Sequence, residues 1–329
     1  MTHSAKILAD SISKNNNRLT TLEITYPRIV HGEMLRHRMH SRCVASSRAI
    51  PVKTFIEQVS NHPYMPIHWG KNQKGMQADV ELSQDEQSQS KKIWIDASHS
   101  VIDFAQKLSN IGVHKQITNR LLETFQWTTE IISGTDWENF FNLRIHTAAH
   151  PEINKIAQLI KDAMDHSIPV ALSDGQWHLP LVSNEDWNII NQYENPVEIA
   201  KQISAGRCAR TSYLTHDGKR DIKADIELAE RLVKSFHFSP TEHLARPMTT
   251  PEFHSYWRWE ALFDDGEVAC FPYDSAYTVT GDIAPPFRVN DIVDNKKVLH
   301  VHGSAYCGNF NGWVQYRKTI PFEWNALLK

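Results

Sequence analysis

The chain has 329 residues, 41% hydrophobic and 22% charged, with a formal net charge of −3 at pH 7. That length supports one large domain or two modest ones with a full core, and the balance is that of a soluble globular protein. The net negative charge argues against coating a nucleic-acid polymer, although a local pocket can still take a nucleotide-sized anion. No apolar run reaches the roughly 18 residues that a membrane crossing needs. The first residues, Met-Thr-His-Ser-Ala-Lys-Ile-Leu, lack a secretory h-region, so a cytoplasmic location is expected. Cys43, Cys208, Cys270 and Cys307 are far apart and form no CxxC pair, which argues against a disulfide frame or a thiolate metal site.

Residues 20–31 are rich in β-branched side chains that partly alternate, which predicts a strand broken at Pro27. A turn and short helix follow, ended by Pro51. Residues 60–76 carry Pro and Gly at short intervals and read as a lid or binding loop; residues 83–92 are polar and expected at the surface. Ala97, Val101, Phe104, Ala105 and Leu108 recur at helical spacing, predicting a helix over 93–110 capped by Gly112. Further helical elements are predicted over 115–125, over 137–144, and after Pro151-Glu152, where Ile153, Ile156, Ala157, Ile160 and Met164 mark a buried face. Residues 175–196 read as a loop joining two halves, 1–175 and 176–329, intertwined in one catalytic domain. Beyond it, 197–203 predicts a helix, 208–213 a short strand, 221–236 a helix and 297–302 a strand.

The chemistry concentrates in Met34-Leu-Arg-His-Arg-Met-His-Ser-Arg-Cys-Val-Ala-Ser-Ser-Arg-Ala-Ile-Pro51, where Arg36, Arg38, Arg42 and Arg48 stand beside three serines with no acid among them. A guanidinium is always charged and offers a planar fork of donors, so this cluster suits a phosphate or carboxylate. The competing reading is a solvated basic helix face, but such faces usually alternate with acids and contain lysine. His37, between two arginines, is expected to stay neutral near pH 7. Cys43 beside Arg42 has the setting of a reactive thiolate, although a small packed residue is the plainer reading.

Arg36-His-Arg38 with Ser46 and Arg48 downstream resembles the RHR-x7-S motif of the flavin-dependent thymidylate synthases, which methylate dUMP using FAD, methylenetetrahydrofolate and NADPH. Ala209-Arg-Thr-Ser-Tyr213 resembles the family's ARxS segment and puts a flavin-contacting serine at Ser212. His237-Phe-Ser-Pro-Thr-Glu-His243 resembles its GHxxPxEH motif, with His237, Ser239 and Glu242 on the FAD-contacting positions and Phe236 in place of the glycine. The segment from Gly112 to Leu122 is similar to one that carries a substrate-binding arginine, and Asn142-Leu-Arg144 matches the one whose arginine polarises the pyrimidine. The resemblance implies an α+β fold with a mixed sheet and helices, its motif order permuted because ARxS and GHxxPxEH here follow RHR. It further implies a homotetramer with sites built between subunits. Substrate contacts are implied for Glu33, Arg36, Ser46, Ser47, Arg48, Asn119, Arg120 and Arg144, and flavin contacts for Arg36, His37, Arg38, Met39, Ser133, Thr135 and Asn139. Glu33 stands where the family has glutamine, Val44 where it has glutamate, and Asn119 where it has the substrate arginine.

Addition of a one-carbon unit at C5 of a pyrimidine needs that carbon electron-rich, which cationic donors at the O2 and N3 edge promote. Arg144 takes that role on the resemblance, while Arg36, Ser46 and Arg48 would hold the 5′-phosphate. Each residue alone also has a structural reading: His237 as a core histidine, Glu242 as a helix N-terminal carboxylate, Arg144 as half of a buried ion pair. Because the departures fall on substrate-facing positions, a hydroxymethylated product, or dCMP as substrate, is the alternative, as suits a virus that modifies its DNA in the host cytoplasm. A catalytically silent nucleotide-binding relative is the third reading. A carboxylate or amide facing the base would accept from the N4 amino group of cytosine.

Overall fold

The computed structural model describes residues 1–213, 221–249, 257–272, 289–305, 308–320 and 323. They form two compact units, one of Met1–Leu8, Thr20–Ile168 and Ala209–Arg220, the other of Ala9–Leu19, Pro169–Cys208 and Asp221–Lys329.

The first unit follows β1 (Ser4–Ile12) and β2 (Arg18–Pro27) with a 3-10 turn, Arg28–Val30, and the short α1 (His31–Met34). Then come β3 (Ser41–Val44), α2 (Val52–Asn61), α3 (Gln84–Asn110), α4 (Lys115–Leu122), β4 (Trp127–Gly134), α5 (Glu138–Arg144) and α6 (Pro151–Asp165). The strand order is β3-β4-β2-β1-β5, where β5 (Val170–Ala171) and the end of β1 from Ala9 are counted in the second unit. The sheet is mixed: β4 pairs antiparallel with β2 and β3, whereas β5 runs parallel to the end of β1. The architecture is therefore α+β.

Alternation puts Leu22, Ile24 and Tyr26 of β2 on a buried face, where they meet Ile132 of β4, Trp137, Phe140 and the Ile153, Ile156 and Ile160 stripe of α6. Each such side chain contributes about 1.5–3 kcal/mol on leaving water. A second cluster joins Phe55 and Val59 of α2 to Ala105 of α3 and Leu122 of α4. Helix α3 begins earlier than the apolar spacing predicts, because Ser83 and Glu86 form a reciprocal capping box and the polar residues 84–92 continue as exposed helix. Gly112, at φ 85°, ends it as predicted: its N–H reaches Ser109 O and that of Val113 reaches Leu108 O.

The second unit contains α7 (Asn184–Ile190), α8 (Pro196–Ala209), α9 (Ile222–Lys234) and the strands β6 (Ala245–Pro247), β7 (Trp257–Phe263), β8 (Val268–Pro272), β9 (Ile292–Val293), β10 (Lys296–Ala305) and β11 (Trp313–Gln315). The loop expected over 175–196 thus holds a helix, started by a Ser183–Asp186 capping box. The strand expected over 208–213 is instead the end of α8 and a 3-10 turn, Arg210–Tyr213. The reason is burial on all sides: residues 203–208 are buried in turn, so no amphipathic period marks the helix. Gly206 allows this packing, since a Cβ there would lie 2.2 Å from the Asp225 carbonyl oxygen. Arg207, fixed by Asp186 and by Asp225 at 2.8 Å, closes the seam between α7, α8 and α9. Among the described residues no helix is long and apolar enough to cross a membrane.

Candidate active site

The Arg-rich stretch leaves β2 through α1 and returns as the edge strand β3, with the rings of His37 and His40 against Phe140 and Trp137. Its anchor is Arg42. The Arg42 Nη1 lies 2.6 Å from Oε1 of Glu130, a fully buried carboxylate of β4, and its Nη2 is 3.3 Å from the His37 carbonyl. Tyr26 donates its hydroxyl to the other Glu130 oxygen and lies 2.7 Å from Nδ1 of His31, so the buried acid is fully partnered. Burial and Glu130 together push the Tyr26 phenol up, well above its ordinary range.

His40 is seated differently. Its ring stacks on Trp137 at 4.1 Å between centroids, with Nε2 3.2 Å from the Asp136 carbonyl. Gly134 makes room for it: a Cβ at that position would stand 2.5 Å from His40 Cδ2. Burial, then the charge of Arg42, lowers the His40 pKa to about 3, so the ring is neutral at physiological pH.

Arg144, at the end of α5, donates from Nε to Nε2 of His37 at 2.8 Å, and its Nη1 lies 3.5 Å from Oε2 of Glu33. Glu33, Arg36 and Arg144 line one cleft of about 1260 Å³, together with residues of the 64–79 loop and of the segment that enters α6. The cleft is also lined by Glu152, which the sequence marks only as a first-turn residue of a helix. Its carboxylate, 1% exposed, accepts from Tyr64 Oη at 2.7 Å and from the Ile67 N–H at 2.9 Å, and His3 Nε2 is 2.9 Å away. Burial raises the pKa of Glu152, but these bonds outweigh it and hold the acid below the usual carboxylate range. No spacing in the sequence signals this clamp, because its partners come from three distant segments.

The other expected site residues lie as follows. Arg36, Arg38 and Arg48 are exposed, and among the described residues none has a carboxylate partner; Met39 is exposed beside them. Ser46 is half-buried, with Oγ 3.3 Å from the Arg48 N–H, and Ser47 is buried. Asn119 is fully buried, its amide donating to the Ser47 and Ile50 carbonyls at 2.7 and 3.0 Å, so it braces the serine loop from behind. Arg120 is exposed and paired with Glu123 at 2.7 Å. Ser133 is buried against Thr21 at 2.6 Å, Thr135 donates to Asp136, and Asn139 is exposed on α5. Ser212 sits in the Arg210–Tyr213 turn, which packs beside β3 and β4 in the first unit.

The remaining three belong to the second unit. His237 is exposed, with Nδ1 3.1 Å from Ser235 Oγ, and Ser239, also exposed, opens the 3-10 turn Ser239–His243. Phe236 has φ 61°, a left-handed conformation in which the N–H of His237 reaches Leu232 O, and this explains why the resembling motif carries glycine there. Glu242 pairs with Arg317, which also binds Glu323; burial nevertheless raises its pKa.

Residues 18–170 match the family model described as thymidylate synthase complementing protein. That span is just under half of the chain, and the match is to the family that the motifs resemble, the flavin-dependent thymidylate synthases. The span includes every residue that lines the cleft, Glu33, Arg36, Arg144 and Glu152 among them. Among solved structures the chain is similar to PolB from Streptomyces cacaoi, a UMP/dUMP methylase, crystallised with 5-Br UMP and with 5-Br dUMP. The identity is 16% and the TM-score 0.42, over 49% of this chain and 88% or 89% of PolB. No curated protein matches it.

Proposed function

We propose that this protein transfers a one-carbon unit to C5 of a pyrimidine deoxynucleoside monophosphate, in the manner of dUMP methylation to dTMP. FAD is the bound cofactor in this reading, methylenetetrahydrofolate the carbon donor and NADPH the reductant. The observation that carries it is the meeting of Arg36 and Arg144 in one cleft, beside Glu33. The match of residues 18–170 to the family model supports the flavin and the folate.

The residues present fit such ligands. Three exposed guanidinium groups, of Arg36, Arg38 and Arg48, are unpaired with acid among the described residues, as phosphate-binding groups should be. Bound FAD would supply the redox chemistry. The chain's own part is to bind and orient. Arg144 stabilises negative charge that develops at the pyrimidine O2 and N3 edge and so enriches C5. Arg36 takes phosphate and turns binding energy into proximity. Arg38 and Arg48, exposed on one chain, are then available to a neighbouring copy, which fits a homotetramer with shared sites.

A second reading has dCMP as the substrate, or a hydroxymethyl product with water capturing the one-carbon intermediate in place of hydride. One feature favours it: the Glu33 carboxylate stands in the cleft 3.5 Å from Arg144, and it can accept from the N4 amino group of cytosine. Mass spectrometry of the product from dUMP and from dCMP, with methylenetetrahydrofolate and with or without NADPH, separates these outcomes. A preparation that stays colourless after reconstitution with FAD, and yields no product from either nucleotide, would make the protein a silent binder and end the proposal.

A further inference from the structure

An arginine that polarises a ring must present its fork at one angle, yet the side chain turns about four bonds. We infer that His37 is the positioning residue of Arg144: its Nε2 accepts the Arg144 Nε–H and fixes the plane of the guanidinium in the cleft. The inference rests on the reading of Arg144 given above.

The contact is short, 2.8 Å, and the acceptor ring is itself held. Phe140 meets His37 edge-on at 4.9 Å, and His40 lies roughly parallel to it at 6.5 Å. His40 is in turn stacked on Trp137. Trp137 is the N-cap residue of α5 and Phe140 lies within that helix, whose last residue is Arg144. One helix therefore delivers the guanidinium and clamps the ring that receives it. With Nε engaged by His37 and Nη1 near Glu33, the remaining N–H groups are those left for a pyrimidine oxygen.

The geometry also fixes a proton. Arginine always carries hydrogen on Nε, so Nε2 of His37 is bare and the neutral ring bears its proton on Nδ1. Free histidine favours the opposite tautomer. A protonated His37 would lose the acceptor and repel Arg144; burial, with Arg144 and Arg42 nearby, keeps it neutral by lowering its pKa to about 4. The motif resemblance implies a flavin contact for His37. The hydrogen bond to Arg144 is a second task, and it needs the half-buried place the ring occupies.

The test is nitrogen NMR of the full chain with 15N-labelled histidine at pH 7.5, the His37 signals being assigned with a His37→Phe variant. Wild type should show a bare Nε2 and a protonated Nδ1 at His37, and Arg144→Ala should move that ring toward the Nε2–H form. In turnover, His37→Phe should lower kcat by about 10 to 100-fold with KM changed by less than about threefold, while His37→Gln, which restores an acceptor, recovers most of the loss. A wild-type His37 protonated on Nε2, a tautomer indifferent to Arg144→Ala, or a folded His37→Phe protein with wild-type kcat would overturn the inference. If wild type turns over no pyrimidine nucleotide, the functional reading fails, and the tautomer measurement still decides the role of His37.

Discussion

Replacing Arg42 by methionine should destabilise the first unit by about 3–5 kcal/mol, the usual loss when one partner of a buried ion pair is removed. The structure puts the substitution at that end of the scale. Glu130 has no exposed surface, one of its oxygens depends on Arg42 at 2.6 Å, and the other accepts from the Tyr26 hydroxyl with His31 Nδ1 3.9 Å away. Methionine fills most of the arginine volume, so little of the loss comes from a cavity. With a urea dependence of about 3 kcal/mol per molar, the midpoint should fall by about 1–1.7 M. The companion variant combines Arg42→Met with Glu130→Leu. It removes the stranded charge, leaves the Tyr26 hydroxyl its contact with His31 at 2.7 Å, and should regain most of the lost stability. Urea titration of the full chain followed by circular dichroism and tryptophan emission measures both. A single variant within about 0.3 M of wild type, or a double variant no better than the single, would refute the argument that Arg42 is the counter-charge of a desolvated acid.

Gly134→Ala drives a Cβ against His40 and should cost about 1–3 kcal/mol by overpacking, read as a lower thermal midpoint; an unchanged midpoint would mean that the His40 seat is loose. Ser83→Ala removes the capping box of α3 and should cost about 1 kcal/mol locally, visible as faster hydrogen exchange in the first turns and not elsewhere. Burial depresses the pKa of His40, His178 and His243 to about 3. The unfolded chain therefore takes up protons first, and stability present above about pH 6.5 is lost as pH falls toward 3, by up to about 1.4 kcal/mol per pH unit for each such histidine. A thermal midpoint equal at pH 7.5 and 5.5 contradicts that linkage. Glu33→Gln should shift the ratio of dCMP to dUMP turnover toward dUMP, and an unchanged ratio would remove Glu33 from base selection.

The helices were legible where one face is buried and the other wet. Ile153, Ile156 and Ile160 announce α6 because their spacing is that of a single stripe. The same rule fails at α8, where residues 203–208 are buried in turn, and it cannot find β3, a four-residue strand inside an Arg-rich stretch with no alternation. The motifs single out Glu33, Arg36 and Arg144, and the fold brings these three to one cleft. Asn119 and Arg120 occupied the expected segment, but one is turned to backbone carbonyls and the other to Glu123, a difference that depends on which side of α4 meets the serine loop.

Taken alone, the order of residues determined the chemical inventory: clustered guanidinium groups, their unpaired state in sequence, and the family that residues 18–170 match. Folding decided which of those charges are spent internally. Arg42 is consumed by a carboxylate on a neighbouring strand, whereas Arg144 is oriented by a histidine and left to face the cleft. Nothing local separates the two, because a charge is freed or neutralised by partners that only strand pairing and helix packing bring within a few ångströms.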